Sequence, residues 1–245
     1  MRSLFCFVIL CLTLNLTLYA QETFQVLLVA DTSDFKIGKN CSADIYRFRK
    51  SLSSIARHLN MQLHLTRLEG ENCRWDRMRK WFQTIPQSDI VLFYYSGHGD
   101  ADRFQNKLPE LCLQEGEARG IWIKELMSRV RCRLSIILLD CCNPYEKAHY
   151  TYRWPYGRLI HDKLNLPGLK NLFLHSHGTI LACAASQGES AICQKQGSYF
   201  SMGFILALKN LCKNPNVSWT DVCKWTSRYA TARSKNAQHP FFSIQ

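Results

Sequence analysis

A histidine between two glycines follows an apolar segment in the sequence FYYSGHGD, residues 93–100. A second apolar segment, LSIILLDCCN at residues 134–143, ends in two cysteines, Cys141 and Cys142. A thiol together with a histidine that can move a proton is the minimum for nucleophilic catalysis by cysteine. His98 precedes Cys142 by 44 residues (142 minus 98), so this chemistry requires a fold that brings the two segment ends together.

The rest of the sequence indicates the elements that would position these residues. Short, almost wholly apolar runs are typical of strands buried on both faces, and apolar residues spaced three and four apart are typical of amphipathic helices. The predicted strands are residues 24–30, 61–68, 89–96, 134–140 and 178–186, with PFFSIQ at 240–245 as a further edge strand. The predicted helices are residues 42–59, 73–85, 121–130, 199–211 and 220–232. Because strands and helices alternate with short connections, we predict an α/β fold, a mostly parallel sheet with helices on both faces.

The two candidate residues come directly after two of the predicted strands. In an open parallel sheet, sites form beyond the carboxyl ends of the strands, and neighbouring strands lie ~4.8 Å apart. If the strands before His98 and Cys142 are neighbours, both side chains project into one crevice. Gly97 and Gly99 let the backbone turn sharply and approach a substrate closely. The backbone amides of Gly99 and Cys142 are then candidates for an oxyanion hole.

Other residues compete for these roles. Cys141 is the alternative nucleophile, and only one of the two thiols can face the crevice, because successive side chains of a strand point to opposite faces. His177 also follows an apolar run and is the alternative base. No metal site is predicted, since His175 and His177 lack further ligands at suitable spacing and the chain has no Cys-x-x-Cys pair.

The first 20 residues, MRSLFCFVILCLTLNLTLYA, match a signal peptide, with Arg2, an apolar stretch and the small residue Ala20 before the cleavage point. Cleavage would export the rest of the chain to the periplasm or the cell exterior. The alternative is an uncleaved signal that anchors the protein in a membrane. No other segment is long and apolar enough to span one. We predict that residues 21–245 form a single domain.

Charge and cysteine content set further bounds. The formal net charge is +12, but the basic residues are scattered without a run of five, so nucleic-acid binding is not predicted. Two of the twelve cysteines, Cys6 and Cys11, lie in the signal segment. An exported chain with the remaining ten is a candidate for disulfide formation. Those in predicted loops or helix ends are Cys41, Cys73, Cys112, Cys132, Cys193, Cys212 and Cys223.

The segments YYSGHGD and IILLDCCN resemble the catalytic segments of the caspase-like cysteine peptidases (clan CD, peptidase C14), closest to the metacaspase and bacterial caspase-like branch. ACAASQGESA and GSYFSMGFILAL resemble the later strand and helix of that family. The resemblance implies a caspase-like α/β/α sandwich, with a large-subunit-like part at 21–142, a loop at 143–170 and a small-subunit-like part at 171–245. It also implies that Cys142 forms a thioester with the substrate and that His98 protonates the leaving amine.

The resemblance implies a specificity as well. Metacaspases prefer Arg or Lys, and an aspartate at the position of Asp140 lies in their first pocket. A buried carboxylate needs a cationic partner, which a substrate Arg or Lys supplies. Ser96 is expected in the same pocket. Asp31 is a candidate for a second pocket acid, and Asp34 is an equal alternative. Protein or peptide substrates with Arg or Lys at the cleavage position are therefore expected.

Further expectations concern regulation and rival functions. The loop at 143–170 is a candidate for activating self-cleavage at Lys147, Arg153, Arg158 or Lys163. No cofactor is required, and calcium stimulation, common in metacaspases, stays open because the acidic residues of 110–117 are too sparse to specify a site. A monomer is expected. The alternatives are a legumain- or gingipain-like endopeptidase of different specificity and a catalytically silent caspase-like interaction protein.

Overall fold

The computed structural model describes residues 21–102, 104, 107–115, 117–145, 167–194 and 196–245. In chain order, the strands are β1 (Thr23–Ala30), β2 (Gln62–Glu69), β3 (Ser88–Ser96), β4 (Gly99–Asp100), β5 (Glu110–Cys112), β6 (Glu117–Arg119), β7 (Cys132–Asp140), β8 (Gly178–Cys183), β9 (Cys193–Gln194), β10 (Gly197–Ser198) and β11 (Phe241–Ile244). The helices are α1 (Gly38–His58), α2 (Trp75–Thr84), α3 (Gly120–Arg129), α4 (Tyr199–Leu211) and α5 (Trp219–Arg233). A 3₁₀ turn (Gly70–Asn72) and a π-helical segment (Lys170–His175) complete the described elements.

Six of these strands form one sheet in the order β11–β8–β7–β3–β1–β2. The pairs β2–β1, β1–β3, β3–β7 and β7–β8 are all parallel. At one edge, β11 runs antiparallel to β8. The mostly parallel sheet predicted from the sequence is confirmed, and the strands that precede His98 and Cys142 are direct neighbours.

Helices cover both faces of this sheet, as predicted. One face packs against α1, α4 and α5 in a core that includes Phe204 and Ile136. The other face packs against α2 and α3 in a core that includes Met78 and Ile137. Ile136 and Ile137 are adjacent in β7 and enter opposite cores, because side chains alternate along a strand. The central strands are therefore apolar at successive positions.

Two small antiparallel units were not predicted from the sequence. β4, β5 and β6 form a three-stranded sheet, and β9 pairs with β10. Each of these strands has only two or three residues, which is too short for an alternating pattern to be recognised. β4 begins at Gly99, so the three-stranded sheet starts directly beside His98.

Several sequence predictions fall outside the described residues, namely the signal segment 1–20 and, within the 143–170 loop, residues 146–166. In the part of the chain that is described, no helix has the length and apolar character needed to cross a bilayer. The ten cysteines from Cys41 to Cys223 are all free thiols, including the seven candidates for disulfides. Most of them are buried, where a thiol packs as a small apolar side chain.

We predict that Ser135→Ala stabilises the protein. Ser135 lies in the central strand β7, and its buried hydroxyl has no hydrogen-bond partner among the described residues. Removing an unsatisfied buried polar group relieves its desolvation cost, so the free energy of unfolding should rise by about 1 kcal/mol. Urea unfolding followed by tryptophan fluorescence measures this change.

Ser88→Ala in β3 is the matched control. The Ser88 hydroxyl donates a hydrogen bond to the Pro86 carbonyl at 3.0 Å. Its removal should destabilise the protein by about 1 kcal/mol. Any loss of stability in Ser135→Ala would contradict the prediction.

Candidate active site

The carboxyl ends of β3 and β7 lie side by side, with Ser96 as the register partner of Asp140. Beyond the strands, the amide of Gly97 donates a hydrogen bond to the Asp140 carbonyl at 3.3 Å. His98 and Cys142 follow, and both border one small cleft of about 40 Å³. Among the described residues, the cleft is lined by Ile37, Asn40, Cys41, Asp44, Ser96, Gly97, His98, Asp140, Cys141, Cys142, Ala191, Ile192, Cys193 and Ser198. The fold therefore brings together the histidine and the thiol that the sequence analysis singled out.

The two adjacent thiols have different surroundings. Cys141 continues the alternation of β7 and packs with Leu139 and Cys183 in the core on the α2–α3 face. Burial, followed by the neighbouring Cys183 thiol, raises the pKa of Cys141 well above its ordinary value. Cys142 points the other way, and its Sγ lies 3.3 Å from the amide nitrogen of Ala191. Cys142 is thus the thiol on the Asp140 side of the backbone, and Cys141 is a core residue.

Residues that follow β8 cover the Cys142 side chain, which leaves this residue only 4% exposed. Burial raises the pKa of the Cys142 thiol to about 11, although hydrogen bonds with the Ala191 amide and the Ser190 side chain lower it. The amide of Asn143 donates to the Glu189 carbonyl at 2.8 Å and ties this segment to the residue after Cys142. In this conformation Cys142 is a covered, neutral thiol.

The glycines on either side of His98 are required by close contacts. A Cβ atom at Gly97 would lie 2.4 Å from the Tyr95 hydroxyl oxygen, which itself donates to the His98 carbonyl at 2.8 Å. A Cβ atom at Gly99 would lie 2.6 Å from the carbonyl oxygen of Cys142. The sequence analysis expected the glycines to admit a substrate. The groups they admit in this structure are the Tyr95 hydroxyl and the Cys142 backbone.

The small sheet determines where the Gly99 amide points. Gly99 opposes Leu111 of β5, and the amide of Cys112 donates to the His98 carbonyl at 3.0 Å. In an antiparallel ladder this pattern makes Gly99 and Leu111 a non-hydrogen-bonded pair. The amide of Gly99 therefore points away from β5.

His98 is paired with a carboxylate, that of Asp34, which the sequence analysis considered only as an alternative pocket acid. Asp34 Oδ2 lies 3.2 Å from His98 Nε2, and each side chain is 18% exposed. Asp34 Oδ1 accepts hydrogen bonds from the amides of Lys36 and Ile37 at 2.7 and 2.8 Å. Partial burial raises the pKa of Asp34, but the Ile37 and Lys36 amides and His98 outweigh it, so the pKa lies below the ordinary 3.8.

Asp140, predicted as the pocket acid, is buried in the cleft beside α4. The hydroxyls of Ser198 and Ser201 donate hydrogen bonds to its Oδ2, and the Tyr94 hydroxyl donates at 3.4 Å. Burial raises the pKa of Asp140 to about 6, and these hydroxyl hydrogen bonds limit the rise. Asp140 therefore changes charge near pH 6.

Asp44 of α1 is a second buried acid in the cleft, and the sequence analysis missed it. Its two carboxylate oxygens lie 3.1 and 3.0 Å from the Ser198 amide, and Oδ1 is 3.3 Å from the Arg47 guanidinium. Burial, then the charge of Asp140, raises the pKa of Asp44 well above 3.8, whereas Arg47 lowers it. A signal was present, because Asp44 lies four residues before Phe48 and therefore shares the apolar face of the predicted helix with it.

Of the two remaining predicted pocket residues, one lies at the cleft and one does not. Ser96 borders the cleft, but Asp31 does not. In the turn after β1, Asp31 Oδ1 accepts hydrogen bonds from the side-chain amide of Gln114 at 2.7 Å and from the Ser33 hydroxyl at 3.1 Å. The second acid of the cleft is thus Asp44, because α1 runs beneath the cleft while the side chain of Asp31 turns outward at the strand end.

His177, the alternative base, lies at the far end of the sheet. It directly precedes β8, and Gly178 pairs with Leu134 near the start of β7. The cleft lies beyond the carboxyl ends of the strands, at the opposite end of the sheet. Among the residues that the structure describes, no group of three or more His, Cys, Asp or Glu is arranged to hold a metal ion.

Both the sequence and the fold of this chain are similar to those of known proteins. A family model described as "Peptidase_C14: Caspase domain" matches residues 27–244. No curated protein matches the sequence. Among solved structures, caspase-1 from Spodoptera frugiperda is similar with a TM-score of 0.60 at 10% identity, over 91% of this chain and 88% of that one. A protein from Geobacter sulfurreducens is similar with a TM-score of 0.57 at 15% identity, over 91% and 93% of the two chains.

The buried acid Asp140 makes a pH-dependent prediction about stability. An acid whose pKa rises to about 6 on folding stays protonated to a higher pH in the folded chain than in the unfolded chain. Its contribution to stability is therefore lost as pH rises from about 4 through 6. Asp140→Asn cannot ionise, so its unfolding free energy relative to wild type should increase between pH 4 and pH 7. Urea unfolding at unit pH steps measures this difference.

Asp221→Asn is the control with the opposite sign. Hydrogen bonds from Ser218 hold the pKa of Asp221 below 3.8. Its contribution is lost as pH falls below about 4, so the variant should weaken relative to wild type as pH rises to about 4 and then stay level. A constant difference between Asp140→Asn and wild type from pH 4 to 7 would show that Asp140 is not a titrating buried acid.

Proposed function

The chain belongs to the caspase-domain family of cysteine peptidases, and from that membership we propose that it is an active endopeptidase that cleaves after Arg or Lys. Cys142 is the nucleophile and His98 the general acid and base. The observation that carries this proposal is that both residues border one cleft at the ends of the neighbouring strands β7 and β3.

The proposed reaction starts when Cys142 transfers its thiol proton to His98 and the sulfur attacks the scissile carbonyl carbon. The oxyanion of the tetrahedral intermediate accepts hydrogen bonds from the amides of Gly99 and Cys142. The direction of the Gly99 amide, away from β5, supports this role. The intermediate collapses to a thioester as His98 protonates the leaving amine, and water, deprotonated by His98, then releases the second product.

The acids of the cleft support the choice of a cationic substrate. Asp140 and Asp44 are both buried, and the charge of Asp140 opposes ionisation of Asp44. The Arg47 guanidinium contacts Asp44, whereas the hydrogen bonds described for Asp140 come from hydroxyl groups and the Ser201 backbone. A substrate guanidinium or ammonium would supply the missing positive charge. A legumain- or gingipain-like enzyme with another preference is the alternative.

Substrate binding requires the cleft to open. The cleft volume of about 40 Å³ is far below the ~300–1,000 Å³ of pockets that hold small-molecule ligands. An Arg side chain does not fit into that space. The segment at 188–193 must therefore move away from Cys142, which breaks the hydrogen bond between the Asn143 amide and the Glu189 carbonyl.

The other sequence predictions extend this proposal. Export through a signal at 1–20, a single domain at 21–245, activating self-cleavage within 143–170 and a monomeric state remain part of it. No cofactor is proposed for the reaction, and stimulation by calcium stays open. The signal and the candidate cleavage residues lie outside the described residues.

The nucleophile can be identified with an electrophilic peptide that carries Arg at the cleavage position. We expect covalent labelling of the wild type and of Cys141→Ala, and none of Cys142→Ala, because Cys142 faces the cleft. Intact-mass spectrometry measures the labelling, with peptide mapping to identify the modified residue.

Undiminished labelling of Cys142→Ala would rule out this nucleophile. Absence of labelling in correctly folded wild type, under conditions that label an active trypsin-like cysteine peptidase, would favour the catalytically silent alternative. Cys141→Ala also controls for packing, since it changes a buried thiol in the other core.

Specificity should depend on both buried acids. Because removing one partner of a buried ion pair costs about 3–5 kcal/mol, Asp140→Asn and Asp44→Asn should each lower kcat/KM for an Arg peptide by about 100-fold or more. Cleavage of the neutral citrulline analogue should change little. A panel with Arg, Lys, Asn and Asp at the cleavage position provides the measurement, and preference for Asn or Asp would contradict the assignment.

The same carboxylate predicts a pH profile. Below pH of about 6 Asp140 is protonated in the free enzyme, because burial raises its pKa to about 6. The kcat/KM for an Arg peptide should therefore fall as pH decreases through 6, and less so for the citrulline peptide. Identical profiles for the two peptides would contradict this role of Asp140.

A further inference from the structure

The contact between Asp34 and His98 has no counterpart in the dyad expected from the family resemblance. The carboxylate Oδ2 of Asp34 lies 3.2 Å from Nε2 of His98, and both side chains are largely withdrawn from solvent at 18% exposure. An ion pair or charge-assisted hydrogen bond at this distance restricts the rotation of the imidazole ring. The proposed general acid thus has a carboxylate partner on one of its two nitrogens.

The backbone holds that carboxylate rigidly. Asp34 Oδ1 accepts hydrogen bonds from the backbone amides of Lys36 and Ile37. The backbone amide of Gly38 donates a hydrogen bond to the Asp34 carbonyl at 2.9 Å. These contacts close the turn that leads into α1. A Cβ atom at Gly38 would lie 2.4 Å from the carbonyl oxygen of Thr32, so this turn is tightly packed.

The same turn is attached to the strand that carries His98. β1 pairs with β3 up to Ala30 and Ser96, and the amide of Asp31 then donates to the Ser96 carbonyl at 3.1 Å. Asp34 and His98 therefore follow the ends of two adjacent strands, β1 and β3, whose relative position is set by the sheet. Their contact is a product of the fold and not of two freely moving side chains.

We infer that Asp34 is a positioning residue for His98, so that this chain uses a Cys142–His98–Asp34 triad rather than a dyad. This inference rests on the proposed function. Asp34 holds the proton on Nε2, which leaves proton exchange in the cleft to Nδ1. When Nδ1 takes the proton from Cys142, Asp34 stabilises the imidazolium; Nδ1 then gives that proton to the leaving amine. The Nε2 proton stays in place throughout.

Asp34 also has a structural role, and the two roles can be separated. Its Oδ1 bonds to the start of α1, whereas its Oδ2 contacts His98. Asn in this position keeps an oxygen for the helix amides but removes the negative charge. Ser keeps an acceptor for the helix but is too short to reach the histidine. Ala removes both. Glu retains the charge and serves as the conservative variant.

The first test is kinetic, with an Arg peptide substrate. Asp34→Asn and Asp34→Ser should lower kcat by about 100-fold with KM changed less than about threefold, since the residue orients the acid and does not touch the substrate. Asp34→Glu should recover part of the loss. Asp76→Asn, an exposed carboxylate on α2 paired with Arg74, is the control and should retain wild-type kcat. A kcat in Asp34→Asn within threefold of wild type would overturn the inference.

The second test does not need activity. In a Cys142→Ala background, ¹⁵N NMR of the neutral imidazole shows which ring nitrogen of His98 carries the proton, with and without Asp34→Asn. The carboxylate 3.2 Å from Nε2 should hold the proton on Nε2 in the parent. In Asp34→Asn, the side-chain NH₂ should donate to Nε2 and move the proton to Nδ1. The same protonated nitrogen in both proteins would refute the pairing.

The two proposals can fail separately. If the wild type takes no label from the Arg-directed electrophile, the proposed function fails, whatever the NMR spectra show. If the wild type is labelled and cleaves, but Asp34→Asn leaves both kcat and the protonated nitrogen of His98 unchanged, the triad fails and the dyad stands. Equal loss of thermal stability and kcat in all four Asp34 variants, with the proton of His98 on the same nitrogen, would reduce Asp34 to a structural residue.

Discussion

The in-register pairing of β3 with β7 is the constraint on which the rest of the site depends. Because Ser96 and Asp140 are register partners, the turns that carry His98 and Cys142 begin at the same level. A slip of one residue would turn every side chain of β7 to the other face of the sheet. It would bury polar groups and exchange the positions of Cys141 and Cys142. The packing that stabilises the two cores therefore also selects the thiol that faces the cleft.

The central strands could be predicted because they are short apolar runs, and their ends could be predicted because polar residues follow at once. The alternation of side chains shows that Cys142 and Asp140 share a face. Only the tertiary structure shows that this face is the one covered by α4. Two other residues of the site could not be predicted from the sequence, for physical reasons. Asp44 lies within a helix, and the role of Asp34 depends on a turn whose geometry no spacing rule encodes.

The cleft as described is an unfavourable environment for charge. Two carboxylates and four thiols line it, and burial raises the pKa of each of them. The surrounding hydroxyls and amides satisfy hydrogen bonds but supply no buried positive charge to Asp140. The closed conformation is accordingly stable with protonated groups and becomes less so as they ionise.

A cationic side chain that enters this cleft would act on all of these groups together. Its charge would favour ionisation of Asp140 and Asp44, and its volume would require the segment at 188–193 to leave Cys142. Displacement of that segment would expose the Cys142 thiol to solvent and to the His98 side of the cleft. This exposure removes much of the desolvation that keeps the thiol neutral. In this arrangement the feature that selects the substrate and the feature that exposes the nucleophile are one conformational change.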